Sequence, residues 1–227
     1  MKIKAVLFDL GNTLIYQEPY EAFQRILKAN GINKSLRAIR EAFERGNREF
    51  EAERNMVTSP RDFYARWNMM ILKHLGITQS LDRLAAEIDR QWFDFSKSHL
   101  YPEVKKSLNK LRKMGLRLGL VTGGYELDLE RILPEVGLQG FFDVQVGADT
   151  VGKRKPHPEA FAFALKQLGV EPKEAVFVGD IYEIDYLGAQ NAGMAPVLIR
   201  RDGASMSGVR TIRTLDDIFA LLAEIND

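Results

Sequence analysis

The sequence predicts an α/β protein with a doubly wound parallel sheet and an inserted helical domain. Short apolar runs that end at glycine or polar residues alternate with amphipathic stretches of helical period. This alternation is typical of parallel βαβ units. Residues 17–97 break it, because they show the helical period without strand signals. We therefore expect a core domain of residues 1–16 and 98–227, and an all-helical domain of residues 17–97.

The predicted strands are short segments that are apolar on both faces. Strands of a parallel sheet have this composition because helices cover both faces of the sheet. Turn or polar residues follow these segments and mark where the strands end. The segments are residues 4–8, 116–121, 142–146, 175–178 and 195–199, with a short edge strand at 209–212.

The predicted core helices are bounded by residues that favour helix ends. Pro102 begins the first of them, and Thr214 with Asp217 forms a capping-box pattern ahead of the last. Glycines end the three helices that come before the last one: Gly115, Gly137 and Gly169.

The helical insertion contains four amphipathic patterns. Apolar residues recur at helical spacing over Phe23–Leu27, Leu36–Phe50, Phe63–Ile71 and Leu84–Phe95. Ser59, followed by proline and by Asp62, begins the third helix, and Ser80 begins the fourth. We expect the methionine and aromatic residues on these faces to form a packed interior.

Composition excludes several classes of protein. Lys and Arg number 32 and Asp and Glu number 31, so the net charge of +1 argues against bulk electrostatic binding of nucleic acid or anionic membranes. The absence of cysteine excludes disulfides, thiolate catalysis and cysteine-bound metals. The three histidines are scattered, and no apolar stretch reaches the length of a membrane span. We expect a soluble, cytoplasmic protein.

Polar side chains follow the predicted strands at the edge where an open parallel sheet binds its ligands. They are Asp9, Thr122, Lys153, Lys155, Asp180 and Asp185. Three carboxylates without histidine or cysteine suit a hard divalent cation such as Mg²⁺. A lysine and a hydroxyl beside them suit the non-bridging oxygens of a phosphate.

Four segments in this order resemble the motifs of the haloacid dehalogenase superfamily. Asp9-Leu10-Gly11-Asn12-Thr13 resembles the first motif, and Thr122 ends an apolar strand as in the second. The third resemblance is Gly152–Pro158, with Lys155 directly before a proline. The fourth is Val178-Gly179-Asp180 with Asp185. The resemblance covers most of the chain. It implies a Rossmann-like core, and residues 17–97 resemble the C1-type helical cap of the family.

The resemblance also implies roles for these residues in a Mg²⁺-dependent phosphatase acting on a small phosphorylated metabolite. Asp9 would be the nucleophile and would form an aspartyl-phosphate. Asp9, Asp180 and the Gly11 carbonyl would hold Mg²⁺, and Asp185 would lie behind these ligands and orient the metal's water or Lys155. The phosphoryl oxygens would be bound by Lys155, Thr122 and backbone N–H groups near Leu10 and Gly123. Lys153 and Arg154 are expected to be surface charges.

The sequence departs from the family pattern at Gly11. Phosphatases of the family generally carry a second aspartate there, which protonates the leaving group and activates water. Glycine has no proton to donate, and such acid–base help is typically worth about 10²–10⁴-fold. Glu18 and Glu183 are conceivable substitutes, although both are expected to be solvated. Ile181 stands where the family often has serine or threonine.

Three alternatives to a phosphatase remain open at this stage. A haloacid dehalogenase would use Asp9 on a carbon centre without Mg²⁺, which the retention of Asp180 and Asp185 disfavours. A phosphonatase would need a cap lysine to form a Schiff base, and Lys28, Lys34 and Lys73 are better explained as solvated. A regulatory protein could bind Mg²⁺ and a phosphorylated ligand while turning over poorly, an alternative that Gly11 keeps open.

Overall fold

The computed structural model describes residues 2–50 and 59–226, and the chain divides into two compact units. One unit is Met1–Tyr16 with His99–Asp227, and the other is Gln17–Ser98. The strands are β1 (Ala5–Phe8), β2 (Ile15–Gln17), β3 (Ser98–Leu100), β4 (Arg117–Val121), β5 (Val144–Val146), β6 (Ala175–Gly179), β7 (Ala195–Ile199) and β8 (Thr211–Ile212). The α-helices are α1 (Pro19–Ala29), α2 (Leu36–Phe50), α3 (Pro60–His74), α4 (Leu81–Phe95), α5 (Val104–Lys113), α6 (Glu126–Glu135), α7 (Pro158–Leu168), α8 (Leu187–Asn191) and α9 (Ile218–Asn226).

The first unit contains a six-stranded sheet in the order β5-β4-β1-β6-β7-β8, and its neighbouring strands pair in parallel. The predicted doubly wound α/β fold is therefore confirmed. The chain first builds the sheet outward from β1 through β4 to β5 and then continues on the other side of β1 with β6. Strand order thus reverses between β1 and β6, which is where open α/β sheets bind their ligands.

The register of the central strands brings their carboxyl ends to one edge. Phe8 on β1 lies opposite Leu120 on β4 and Val178 on β6. Gly119 allows β4 to pack tightly here, since a Cβ at this position would lie 2.8 Å from Cγ of Leu7. Side chains that directly follow β1, β4 and β6 are therefore presented at a common rim.

Helices begin and end close to the predicted residues. Ser59 caps α3 by accepting a hydrogen bond from the Asp62 N–H at 3.1 Å. Asp217 accepts the Thr214 N–H at 2.8 Å, and one 3₁₀ turn at Leu215–Asp217 precedes α9. Ser80 lies directly before α4, but it adopts a left-handed backbone with φ 53° and makes no side-chain cap.

The second unit contains α1 to α4 around an aromatic interior. Phe43 makes edge-to-face contacts with Phe23 and Trp67, at centroid distances of 5.1 and 5.8 Å. Gly46 lets α2 approach α3, because a Cβ there would lie 2.5 Å from Cδ1 of Ile71. The stripe of aromatic residues in this segment therefore packs as an interior, as predicted.

Two short strands were not predicted from the sequence. β2 and β3 form a separate two-stranded sheet where the chain passes between the units. Each has three residues, too few to show a hydrophobic period. In the described part of the chain, no helix has the length and apolar character needed to cross a membrane.

Candidate active site

Asp9 directly follows β1 at the centre of the sheet edge. Its backbone N–H donates to the carbonyl of Val178 at 2.9 Å, which extends the pairing of β1 with β6 by one residue. The residue is 8% exposed, and Oδ1 accepts a hydrogen bond from Nζ of Lys155 at 2.7 Å. Within the described chain, Oδ2 of Asp9 accepts no hydrogen bond. One carboxylate oxygen is thus held while the other remains available to a ligand.

Lys155 reaches this edge from the loop between β5 and α7. Its side chain is 2% exposed, and Nζ lies 2.7 Å from Asp9 Oδ1 and 2.6 Å from Asp185 Oδ1. The ammonium also lies 5.1 Å from the ring centroid of Phe177. Lys155 is therefore a buried cation bridging two carboxylates, and the peptide bond that joins it to Pro156 is cis.

Asp185 is placed by a tight turn after β6. Residues Tyr182–Tyr186 form one π-helical turn, and Asp185 Oδ2 accepts the N–H of Ile181 at 3.0 Å. Gly179 makes this possible, since a Cβ there would lie 2.4 Å from both Cβ and Cγ of Asp185. Both carboxylate oxygens of Asp185 are occupied, one by Lys155 and the other by this backbone N–H.

Asp180 completes an acidic cluster with Asp9 and Asp185. One carboxylate oxygen from each residue lies within 4.8 Å of the other two. Oδ2 of Asp180 accepts a hydrogen bond from the side-chain amide of Asn12 at 3.3 Å. Three carboxylates and one ammonium leave a formal charge of −2 when all are ionised.

The protonation of the cluster reflects burial and crowding of like charges. Burial raises the pKa of Asp9 to about 7; Lys155 opposes the shift, while Asp185 and Asp180 add to it. Burial, and then repulsion by Asp185, raises the pKa of Asp180 to about 6. Burial alone would lower the pKa of Lys155, but attraction by Asp9 and Asp185 raises it above its ordinary value. The single lysine therefore leaves part of the negative charge uncompensated.

Thr122 and two free backbone N–H groups lie at the same edge. Thr122 is buried directly after β4, and its hydroxyl accepts the N–H of Gly124 at 3.2 Å, which leaves its own proton free to donate. Among the described residues, the N–H groups of Leu10 and Gly123 find no hydrogen-bond acceptor. These donors are available to an anion.

The family model of haloacid dehalogenase-like hydrolases matches residues 3–193. The chain belongs to this family. It is therefore a hydrolase of the haloacid dehalogenase (HAD) type, as the four motifs predicted.

Relatives and solved structures agree with this assignment. A glyceraldehyde 3-phosphate phosphatase of Methanopyrus kandleri is 33% identical over 204 residues, 88% of this chain and 84% of the relative. The crystal structure of a HAD phosphatase from Thermococcus onnurineus is 30% identical, covers 97% of this chain and 98% of its own, and has a TM-score of 0.66. A Bacillus subtilis protein described as a HAD-hydrolase and solved bound to magnesium shares the fold, with a TM-score of 0.80 at 18% identity over 98% of this chain and 99% of its own.

Gly11, the position where this HAD hydrolase departs from the motif, is exposed and uncrowded. Among the described residues, a Cβ at Gly11 would meet nothing within 4 Å, and the φ of Gly11 lies outside the left-handed region. The left-handed residue of this loop is Asn12, with φ 53°. In the part of the chain that the structure describes, neither backbone conformation nor a steric contact therefore requires glycine at position 11.

The two glutamates considered as substitutes for the missing acid are exposed. Glu183 lies in the turn after β6, and Glu18 belongs to the helical unit, where it pairs with Arg25 at 3.6 Å. Ile181 is 44% exposed and offers the site only its backbone, which binds Asp185.

Three residues of the core unit were missed or misjudged from the sequence. The expectation of a surface charge is wrong for Arg154, which is partly buried with its guanidinium 4.7 Å from the centroid of the Tyr125 ring. Lys153 is exposed as expected. Asn12 and Arg201 were not identified as site residues, although Asn12 binds Asp180 and Arg201 binds the carbonyl of Asn12. Motif spacing gives no signal for a contact between residues 12 and 201.

Proposed function

We propose that this HAD hydrolase is a Mg²⁺-dependent phosphatase that hydrolyses a small phosphomonoester through an aspartyl-phosphate on Asp9. The observation that carries the proposal is the buried Lys155, which bridges Asp9 and Asp185 beside Asp180 at the reversal point of the sheet. The 33% identical relative is a glyceraldehyde 3-phosphate phosphatase, which supports a phosphorylated substrate.

The chemistry of the donor set fits a divalent cation. Carboxylate oxygens are the ligands that Mg²⁺ prefers. When all groups are ionised, the three carboxylates and Lys155 carry a formal charge of −2, which the +2 charge of the ion would balance. Asp9 and Asp180 would hold the ion together with the Gly11 carbonyl. Asp185 would not contact the ion itself but would orient the metal's water or Lys155, because both of its oxygens already accept hydrogen bonds. When bound, the cation would supply charge neutralisation for the phosphoryl group.

Asp9 is suited to nucleophilic attack on phosphorus. Its carboxylate is buried yet has one oxygen without a hydrogen bond in the described chain, and Lys155 fixes the other. Attack by Asp9 forms a phosphorus–oxygen bond as the ester oxygen departs, and water then hydrolyses the acyl phosphate to inorganic phosphate and free Asp9. Splitting the reaction in this way requires that Asp9 be ionised, a state that a nearby cation favours.

The phosphoryl oxygens would be bound by two backbone N–H groups that have no acceptor in the described chain and by a hydroxyl that can donate its proton. The N–H groups of Leu10 and Gly123 and the hydroxyl of Thr122 lie at the ends of two adjacent strands. Lys155 adds a positive charge at the same edge. Donors held in place before the reaction stabilise developing charge without further reorganisation.

The helical unit is proposed to act as a C1-type cap of residues 17–97 that selects the substrate. This proposal rests on the family membership and on the position of the helical segment directly after the first motif. The cap would choose among small phosphorylated metabolites, while the core carries the chemistry.

The experiment that tests the function is a screen of phosphate release from three-carbon and other small phosphomonoesters. Each substrate is assayed with Mg²⁺ and with excess chelator, using the wild type and Asp9→Asn. We expect release that requires Mg²⁺ and is lost in Asp9→Asn, because the amide is nearly isosteric but a poor nucleophile. Equal release by Asp9→Asn, or full activity in chelator, would contradict the proposal.

A second candidate function is a regulatory protein that binds a phosphorylated ligand and turns it over poorly. Gly11 favours it, because the described core unit places no carboxylate side chain at this position of the loop. The two candidates differ in the turnover of alkyl phosphates, which is poor for the regulatory protein. Without a protein acid, aryl phosphates should be cleaved much faster than alkyl phosphates, whereas equal rates with chemistry rate-limiting would show that another acid exists.

A further inference from the structure

Arg201 makes contacts in the core unit that neither the family motifs nor the proposed mechanism uses. It follows β7 and lies about 190 positions along the sequence from the loop that carries Asp9. Its Nε donates to the carbonyl of Asn12 at 3.2 Å, and its Nη2 donates to the carbonyl of Thr13. Both contacts hold the backbone directly beyond Gly11.

The guanidinium is itself held rigidly. Nη1 of Arg201 lies 2.7 Å from Oε1 of Glu103, and the two side chains are only 16% and 14% exposed. Its Cζ lies 3.4 Å from the ring centroid of Tyr101. Oε1 of Glu103 also accepts the N–H of Leu215 at 3.2 Å, which ties this anchor to the turn before α9. A planar fork fixed in this way can orient two carbonyl groups, a geometry that a lysine cannot reproduce.

Asn12 connects this arrangement to the acidic cluster. It occupies a left-handed backbone conformation at φ 53°, which asparagine tolerates better than most residues. While Arg201 binds its carbonyl, its side-chain amide donates to Oδ2 of Asp180. The backbone of one residue is thus fixed by Arg201, and its side chain orients a carboxylate of the cluster.

We propose that Arg201 is a positioning residue that sets the affinity of the cluster for its cation by holding the loop at residues 10–13. It acts through the carbonyl groups of Asn12 and Thr13, and the amide of Asn12 then orients Asp180. This inference rests on the proposed function, because it assumes that Asp9 and Asp180 bind Mg²⁺.

The sign of the effect separates positioning from simple electrostatics. Arg201 is a cation, so its charge alone repels Mg²⁺, and removing that charge would strengthen metal binding. Loss of positioning has the opposite effect, because outer-shell partners typically change metal affinity by about 10–100-fold. Arg200 is the matched control: it interacts electrostatically with Asp180, but among the described residues its side chain pairs with Asp202 and not with the loop.

The test is calorimetric titration of chelator-treated protein with Mg²⁺ in the absence of substrate. We expect Arg201→Met to weaken Mg²⁺ binding about ten-fold, and Arg200→Met to leave it unchanged or slightly stronger. Arg201→Lys keeps the charge without the fork and should also bind more weakly. Asn12→Gly removes the side-chain amide, and glycine adopts the left-handed backbone readily. The loss of Mg²⁺ affinity that it causes should therefore not add to the loss caused by Arg201→Met in the double variant.

The proposal is overturned if folded Arg201→Met binds Mg²⁺ as tightly as the wild type or more tightly. Fully additive losses in the Asn12 and Arg201 double variant would also overturn it. Should Arg201→Met fail to fold, Arg201→Lys decides the question by the same criterion. Asp180→Asn distinguishes failure of the proposed metal site from failure of the proposed role of Arg201. If Asp180→Asn binds Mg²⁺ like the wild type, both the metal site and this inference are wrong. If Asp180→Asn alone loses binding, only the role of Arg201 fails.

Discussion

Gly179→Ala should displace Asp185 and destabilise the core unit. The added Cβ would lie 2.4 Å from Cβ and Cγ of Asp185, whereas ordinary contacts begin at 3.4 Å. β6 pairs with β1 on one side and β7 on the other, so the strand has little freedom to move. Asp185 must therefore shift by about 1 Å to reach an ordinary contact distance.

The magnitude follows from the two hydrogen bonds of Asp185. They measure 2.6 Å to Lys155 Nζ and 3.0 Å to the backbone N of Ile181, so a shift of about 1 Å along either bond lengthens it beyond hydrogen-bond range. Hydrogen bonds to charged groups contribute about 1.5–3 kcal/mol each. We therefore expect the free energy of unfolding to fall by about 1.5–3 kcal/mol for each of the two bonds that is lost, a large fraction of the stability of a typical domain.

The assay is guanidinium unfolding in chelator, where no divalent cation compensates the change. Gly11→Ala is the matched control on the same edge, because its Cβ would meet no atom of residues 2–50 and 59–226 within 4 Å. That control should be neutral or stabilising by about 0.4–1 kcal/mol. This prediction is wrong if the free energy of unfolding of Gly179→Ala lies within about 1 kcal/mol of the wild-type value with an unchanged denaturant slope. Asp185 would then not be held against Gly179.

Three further predictions concern the charges of the site. Lys155→Met leaves Asp9 and Asp185 without their cation and should cost about 3–5 kcal/mol in chelator, with Mg²⁺ restoring part of the loss. Unfolding curves that do not respond to Mg²⁺ would contradict this. Asp180→Ala should weaken Mg²⁺ binding in calorimetry more than Asp185→Ala does, because both oxygens of Asp185 are occupied; the reverse order would be inconsistent with the proposed ligands. Gly11→Asp should raise alkyl-phosphate turnover by about 10²-fold over Gly11→Asn, which has no acidic proton. Equal turnover by the two variants would show that position 11 does not supply the acid.

The position of the acidic cluster could be predicted from local sequence patterns. Asp9 and Asp180 follow apolar strands, and strands of a parallel sheet end at one edge, so their approach could be predicted without coordinates. Lys155 and Asp185 were assigned to the same edge because they follow the third and the fourth predicted strand. The structure brings all four residues together, although their roles in binding and catalysis stay predictions.

The contacts of Arg201 could not be predicted from local sequence patterns. An arginine after a strand is ordinarily a solvated charge, and nothing near position 201 indicates that it binds the carbonyls of residues 12 and 13. The same holds for Arg154, whose aromatic partner Tyr125 belongs to another loop. These contacts depend on where separate loops meet, which no local period encodes.

The sequence by itself determined the class of fold, the order along the chain of the six strands of the large sheet, and the side chains that follow these strands. These features are local: apolar period, helix-end residues and strand ends are properties of short segments. Only the tertiary structure decided that Lys155 is buried between two carboxylates, that no described residue crowds Gly11, and that Arg201 binds the backbone of the Asp9 loop. Those outcomes depend on distances between segments far apart in the chain, and packing of the whole core unit sets such distances.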